Sequence, residues 1–170
     1  VDLVSWTRSH GQSIHFKLEL LNVLELIEGE ISRLQVTCMR KQQQIRIEAD
    51  RVGLIRADRH MLQMIFRNLL SNALKFSHHG AEVIVRVARQ RGEWLFQVCD
   101  QGIGMPEEVQ ACLLKIDQRK EQTGTAGESG SGFGLLLCED FVHRHGGRLS
   151  WQSTPAGLPK MRSKKFVLMA

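Results

Sequence analysis

Residues 58–77 read DRHMLQMIFRNLLSNALKFS, and this stretch predicts one helix of about five turns that ends at Phe76. Asp58 is a good N-cap, because its side chain can accept hydrogen bonds from the first free backbone N–H groups of a helix. Apolar residues then recur every three or four positions, and the predicted buried stripe consists of Leu62, Ile65, Phe66, Leu69 and Ala73. The helix is therefore expected to pack on a core by this face.

The same helix carries a polar edge. Asn68 and Asn72 are four residues apart and stand one above the other, with Lys75 and Phe76 a turn further on. One interpretation is that the two amides satisfy backbone groups of a neighbouring loop. The other is that they face a ligand, since an amide oxygen can ligate a hard cation.

Two glycine-rich stretches follow this helix and favour the second interpretation. They are DQGIG at residues 100–104 and GSGFG at residues 130–134. Glycine lets backbone amides approach phosphate oxygens without an intervening side chain, and a lone aspartate such as Asp100 can accept a hydrogen bond from an adenine amino group. The combination predicts a nucleotide site.

Further periodicity predicts the elements around this helix. Residues 13–18 form a short extended piece, and a helix follows whose apolar positions are Leu20, Leu24, Ile27, Ile31 and Leu34. The alternation at residues 45–48 and the run 52–57 predict two strands that pair around Asp50 and Arg51. Residues 83–88 and 94–98, joined by residues 90–93, have the spacing of a β-hairpin, and Asp100 ends its second strand.

The sequence of the C-terminal part predicts a mobile loop between two helices, followed by two strands that complete the sheet. A helix starts near Pro106, and the polar stretch 117–131 has too few apolar residues to pack. A helix at residues 132–145 is ended by Gly146 and Gly147, and strands follow at residues 148–152 and 165–169. The expected fold class is α/β (α+β), a two-layer sandwich whose mixed, mostly antiparallel sheet is covered on one face by helices.

Composition excludes several classes of protein. The 170 residues include 42% hydrophobic residues, enough for one well-buried core, and no apolar run is long enough to span a membrane. The net charge is +5, but lysines and arginines are scattered singly, which argues against nucleic acid as a partner. The cysteines are far apart and are expected to be reduced core residues rather than zinc ligands. A cytoplasmic location is expected.

The three motifs together resemble the ATP-binding catalytic domain of bacterial sensor histidine kinases. Residues 58–77 are similar to the asparagine box of that family, DQGIGM at residues 100–105 to its first glycine box, and GSGFGLLLCEDFVHRHGG at residues 130–147 to its second. The superfamily, known as GHKL, also includes DNA gyrase, the heat-shock chaperone ATPase and mismatch-repair ATPases. The resemblance implies a GHKL-type fold for residues 20–170, with residues 1–19 as the end of a dimerisation helix and a linker.

The resemblance also implies roles for individual residues. Asn72 would ligate Mg²⁺ that bridges the phosphates of ATP, Asn68 would assist it, Lys75 would contact phosphate and Phe76 would lie against the nucleoside. Asp100 would bind the adenine amino group. Further nucleotide contacts would come from the glycine boxes and the end of the lid, namely Gly102, Ile103, Gly104, Met105, Thr125, Gly130, Ser131, Gly132, Phe133, Gly134 and Leu135.

The implied activity is phosphoryl transfer rather than hydrolysis. Hydrolysing members of the superfamily have a glutamate where this chain has Asn68, and an amide is no base. No histidine here has the acidic neighbour of the family's phosphoacceptor, so the acceptor is expected in a dimerisation domain outside this chain. The resemblance further implies a response regulator receiver domain as downstream partner and a homodimeric parent, which could be membrane-anchored although this fragment makes no direct membrane contact.

Two other functions remain open at this point. A degenerate module could hold nucleotide, or nothing, and only regulate a partner; the lid departs from the family pattern, since it has no evident phenylalanine and Phe133 stands where leucine is more usual. An ATP-gated dimerisation clamp like gyrase would require the hydrolytic glutamate and a transducer domain, which this sequence lacks.

Overall fold

The structure is a computed structural model that describes residues 16–50, 53–104, 123–128, 134–152 and 162–169. Its strands are β1 (Glu19–Asn22), β2 (Gln44–Ala49), β3 (Leu54–Ala57), β4 (Glu82–Gln90), β5 (Glu93–Asp100), β6 (Arg148–Gln152) and β7 (Arg162–Met169). Its helices are α1 (Val23–Arg40), α2 (Arg59–Phe76) and α3 (Gly134–Arg144). Predictions that concern residues 1–15, 105–122, 129–133 and 153–161, including the helix near Pro106, lie outside the described residues.

The main sheet has five strands in the order β2-β4-β5-β7-β6. Only the β2–β4 pair is parallel, and the other three pairs are antiparallel. β4 and β5 form the predicted hairpin; its turn residues Arg91 and Gly92 both have positive φ, at 52° and 86°, as the tight turns that match strand twist require. The expected mixed, mostly antiparallel sheet is confirmed.

The helices and one face of this sheet share a single hydrophobic core. Alternate residues of β4 and β5 point into it, and Val85 and Phe96 are fully buried there. All five residues of the predicted α2 stripe are also fully buried. On the other face of the sheet, Arg46, Glu48, Glu82 and Arg86 form a network of ion pairs. One apolar face and one charged face explain why the three described helices pack on the apolar side.

Two of the predicted local arrangements were wrong. The predicted pairing of two strands around Asp50 and Arg51 does not occur, because β2 pairs with β4 and β3 pairs with β1 in a separate two-stranded sheet. The extended piece was predicted at residues 13–18 and the helix after it from Leu20. In the structure, strand β1 starts at Glu19 and α1 starts at Val23, so both predicted elements lie too early in the sequence. Leu20 therefore belongs to a strand, where it is 67% exposed, rather than to the buried stripe of α1.

The first turn of α2 is held by the end of α3. Asp58 caps α2 as predicted, with Oδ1 accepting from the backbone N–H of Met61 at 3.0 Å. The backbone N–H of Asp58 donates to Nε2 of the buried His145 at 2.9 Å, and Nδ1 of His145 lies 2.6 Å from the carbonyl oxygen of Phe141. Since Nε2 accepts, Nδ1 carries the ring proton and donates it. A neutral histidine thus joins the two helices.

The end of α3 also follows the sequence expectation. Gly146 adopts a φ of 69°, and the N–H groups of Gly146 and Gly147 donate to the carbonyls of His143 and Val142. This arrangement ends a helix through a left-handed residue, which glycine adopts without steric cost. Strands β6 and β7 follow, as predicted, and complete the sheet.

Replacing His145 by leucine is expected to lower the free energy of unfolding by about 1–3 kcal/mol, because it leaves the buried N–H of Asp58 without an acceptor. Urea unfolding followed by circular dichroism measures this change. The control is His143→Leu, at an exposed position in the last turn of α3, for which we expect a change within about 0.5 kcal/mol. Equal stabilities of the two variants would contradict the proposed link.

Candidate functional site

The C-terminal half of α2 carries the side chains that the sequence singled out. Asn68, Asn72, Lys75 and Phe76 are all half-buried, whereas Leu69 on the core side is fully buried. The Nζ atom of Lys75 lies 4.7 Å from the centre of the Phe76 ring, a distance at which a cation is attracted to an aromatic face. These four residues form a polar edge at the margin of the core, and we call it the α2 edge.

The end of β5 meets the end of this helix. Asp100 is 5% exposed, and its Oδ1 accepts from the backbone N–H of Gly102 at 3.0 Å. The N–H of Ile103 donates to the carbonyl oxygen of Phe76 at 3.0 Å, and Gly102 forms an isolated antiparallel bridge with Ser77. The first glycine segment therefore lies directly against the last turn of α2.

Glycine is required at position 102. A β-carbon built there would lie 2.2 Å from the carbonyl oxygen of Phe76 and 2.9 Å from Oδ1 of Asp100, so any side chain would force the two segments apart. Two residues later, Gly104 has a φ of 83°, a left-handed conformation that side chains disfavour. The exposed Ile103 lies between them.

The start of α3 meets the Asn68 end of the same edge. A β-carbon built on Gly134 would lie 2.8 Å from Oδ1 of Asn68, so the amide side chain of Asn68 fills the space that glycine leaves. Leu135, the next residue, packs partly buried against the core. Gly130, Ser131, Gly132, Phe133 and Met105 lie outside the described residues.

The segment 123–128 makes a third contact with α2. The N–H of Thr125 donates to the carbonyl oxygen of Lys75 at 3.1 Å, and its Oγ1 lies 2.7 Å from the carbonyl oxygen of Ser77. The N–H of Gly124 donates to the carbonyl of Glu128, which closes this segment into a turn. The structure thus brings Thr125 to the α2 edge, while its predicted contact with nucleotide stays a prediction.

Sequence reasoning missed two polar residues that hold the helix end, Lys41 and Gln43. Both are buried although polar. Nε2 of Gln43 donates to the carbonyls of Leu74, Ser77 and His78 at 2.9–3.1 Å. Nζ of Lys41 donates to the carbonyls of Leu74 and Lys75. The only sequence signal was a basic and an amide residue between a predicted helix and a predicted strand, which is an ordinary surface pattern.

The carboxylate of Glu128 belongs to the same cluster. Its Oε1 lies 3.2 Å from Nζ of Lys41, and its Oε2 accepts from the N–H of Ala126 at 2.8 Å. Burial opposes ionisation of this carboxyl, but hydrogen bonds from its own backbone and from Ala126, together with Lys41, hold its pKa below the ordinary value of 4.5. Because folding lowers the pKa of Glu128, its ionised carboxylate stabilises the turn at pH values above the ordinary pKa. This stabilisation is lost as the pH falls through the pKa of the folded state.

Cysteine chemistry plays no part in the described site. Cys99 and Cys138 are buried and Cys38 is half-buried, and none of these three described cysteines forms a disulfide, in line with the predicted reduced state. Burial raises the pKa values of Cys38 and Cys99, which keeps both in the unreactive thiol form.

Among the described residues, no helix combines the length and the apolarity that crossing a membrane would need.

Comparison with known proteins places the chain in a family. Residues 57–168 match the histidine kinase-, DNA gyrase B- and HSP90-like ATPases, and this match covers more than half of the chain. The chain belongs to this family, which confirms the predicted fold class and resemblance. Nucleotide use follows from membership of a family of ATPases.

Among sequence relatives, the chain is 41% identical over 105 residues to the circadian input-output histidine kinase CikA of Synechococcus elongatus, a match that covers 62% of this chain and 14% of the relative. It is 33% identical over 145 residues to CikA of Thermosynechococcus vestitus, covering 85% of this chain and 19% of the relative. The chain therefore spans less than a fifth of the length of these curated relatives.

Solved structures of histidine kinases share the fold. The nucleotide-free catalytic domain of histidine kinase ThkA superposes with a TM-score of 0.76 at 19% identity, over 90% of this chain and 95% of that one. The mycobacterial sensor histidine kinase MprB superposes with a TM-score of 0.74 at 26% identity, over 89% and 97% of the two chains.

The Gly102→Ala variant is expected to lose about 2 kcal/mol or more of unfolding free energy, since its β-carbon must displace the carbonyl of Phe76. Gly29→Ala is the matched control: Gly29 lies inside α1 with nothing within 4 Å of a built β-carbon, so alanine should stabilise the helix by about 0.5–1 kcal/mol. Thermal unfolding should show a lower stability for Gly102→Ala and a higher stability for Gly29→Ala, each relative to the native chain. A Gly102→Ala variant as stable as the native chain would refute the close approach.

Proposed function

We propose that this chain is the ATP-binding catalytic domain of a sensor histidine kinase, which presents Mg²⁺-ATP for phosphoryl transfer to a histidine in a dimerisation domain outside this chain. The observation that carries the proposal is the convergence on the α2 edge. The end of β5 contacts the Phe76 end of that edge, and the start of α3 contacts Asn68. Family membership supports the nucleotide as the ligand.

Asp100 would recognise the base in this proposal. Its carboxylate is buried at the end of β5 and held by the N–H of Gly102, so its orientation is fixed before a ligand arrives. A buried, fixed carboxylate accepts a hydrogen bond from the amino group of adenine, whereas guanine offers a carbonyl oxygen at the corresponding ring position. Phe76 would lie against the nucleoside and Lys75 against phosphate.

The donor set on α2 fits a divalent cation bound together with phosphates. The side chains of Asn68 and Asn72 offer amide oxygens one turn apart, and Mg²⁺ prefers oxygen ligands and is commonly shared between a protein and substrate phosphates. Asn72, assisted by Asn68, would hold the ion, which would neutralise charge on the phosphates. The N-terminal end of α3, close to Asn68, adds backbone dipoles that favour negative charge.

The same residues support transfer over hydrolysis. Asn68 stands against the start of α3, where a hydrolytic enzyme of the superfamily would place its glutamate, and an amide cannot accept the proton of an attacking water. Phosphoryl transfer depends mainly on alignment and charge neutralisation, so a domain that positions the nucleotide can serve an acceptor supplied by another domain. A response regulator would then receive the phosphoryl group, in the cytoplasm.

Binding of the non-hydrolysable analogue AMPPNP, measured by calorimetry with Mg²⁺ and with EDTA, tests the metal site. The native chain should bind at least about tenfold more tightly with Mg²⁺, and Asn72→Ala should remove this difference while leaving the fold intact. Ser71→Ala, at an exposed position of the same turn, is the control and should retain metal dependence. A native chain without metal dependence would instead favour the degenerate regulatory module.

The Asp100→Asn variant tests base recognition. It replaces a charged hydrogen-bond acceptor by an amide, and the expected loss of about 1.5–3 kcal/mol weakens ATP binding by about 10–150-fold. Preference for ATP over GTP in competition calorimetry should fall with it. The control Asp140→Asn removes an exposed carboxylate on α3 and should leave both values unchanged. Undiminished preference for ATP in Asp100→Asn would disprove the assigned role.

A further inference from the structure

Lys41 is a buried cation that the proposed function does not use. It directly follows α1 and is 7% exposed, which is unusual for lysine because an ammonium group loses its hydration on burial. Its Nζ lies 2.8 and 3.0 Å from the carbonyls of Leu74 and Lys75, 2.7 Å from Oγ1 of Thr125 and 3.2 Å from Glu128. Four oxygen acceptors thus surround one ammonium group.

These contacts exclude a direct role in binding phosphate. An ammonium group has three N–H donors, and four acceptors within 3.2 Å already engage all of them. With its Nζ buried beneath segment 123–128, Lys41 has no donor left for a ligand. Its charge instead lies at the C-terminal end of α2, where the helix dipole places partial negative charge.

The turn that Lys41 secures lies against Lys75. A β-carbon built on Gly124 would lie 2.6 Å from Cγ of Lys75 and 2.3 Å from Oε2 of Glu128, so glycine allows the turn to touch both side chains. Gly127 has a φ of 79°, which lets Glu128 fold back toward Lys41. The chain from residue 124 to residue 128 is thereby fixed against the stem of a residue proposed to contact phosphate.

We propose that Lys41 is a positioning residue of the nucleotide site: by joining the last turn of α2 to the turn 124–128, it fixes Lys75 and Phe76 in the orientation that binds nucleotide. This inference rests on the proposed function, because it concerns affinity for the same ligand.

Loss of the ammonium group would release both sides of the contact. In Lys41→Met the side chain keeps a similar length, but the carbonyls of Leu74 and Lys75 lose a donor and Glu128 loses its counter-ion. Buried groups without partners are costly, so the last turn of α2 and the turn 124–128 would move to find others. The side chains of Lys75 and Phe76 would move with the helix end, although neither has been changed.

The first measurement is the dissociation constant for Mg²⁺-AMPPNP of the 170-residue chain at a temperature where circular dichroism shows each variant to be folded. Lys41→Met should raise it about tenfold, the size of one lost hydrogen bond to a charged group. Arg40→Met is the matched control, since Arg40 is the exposed cation one residue earlier, and should leave it unchanged. Glu128→Gln keeps an acceptor for Ala126 but loses the charge, and should raise it about threefold.

A double-mutant cycle separates positioning from general destabilisation. If Lys41 acts through Lys75, the double variant Lys41→Met, Lys75→Ala binds about as weakly as the weaker single variant. Lys75→Ala alone is also expected to weaken binding about tenfold, through loss of one hydrogen bond to phosphate. Independent effects of the two substitutions would then multiply to about a hundredfold loss and would overturn the inference, as would native affinity in folded Lys41→Met. If Lys41→Met does not fold, Glu128→Gln decides, and native affinity in that variant overturns it. Failure of the native chain to bind would refute the proposed function as well.

Discussion

The structure depends on one constraint, the need to supply hydrogen-bond donors to the buried C-terminal end of α2. The last carbonyls of a helix have no partner within it, and burial removes the water that would otherwise serve. Here the donors come from the segment after α1, from the segment after β5 and from the turn 124–128. Supplying donors to one helix end therefore brings three distant parts of the chain together, and they meet beside the side chains of the α2 edge that are proposed to bind nucleotide.

The opposite end of α2 is fixed as firmly. Asp58 caps the helix and is bound by His145 at the end of α3, while the apolar stripe between the two ends is fully buried against the sheet. A helix held at both ends and along one side can keep its remaining side chains within the small deviations that ligand positioning allows. The proposed site thus rests on a rigid element, with glycines at 102 and 134 permitting the close approach of its neighbours.

The local features were predictable from sequence and the long-range ones were not. The α2 helix, its Asp58 cap and the β4–β5 hairpin each have a periodic or turn signal within about twenty residues. The pairing of β1 with β3 and of β2 with β4 joins segments without such a signal, and adjacent strands were expected to pair with each other. Lys41 and Gln43 bind carbonyls more than thirty residues away, and side chain to backbone contacts over such sequence distances leave no mark in a local pattern.

The proposed function requires a nucleotide to bind between the α2 edge and the ends of β5 and α3. A crystal structure of the chain grown with Mg²⁺ and AMPPNP would locate it. We expect electron density for the ion within about 2.1 Å of the side-chain oxygen of Asn72, and for the adenine amino group within about 3 Å of the carboxylate of Asp100. Nucleotide density elsewhere on the chain, with Asn72 and Asp100 making no contact to it, would disprove this binding site.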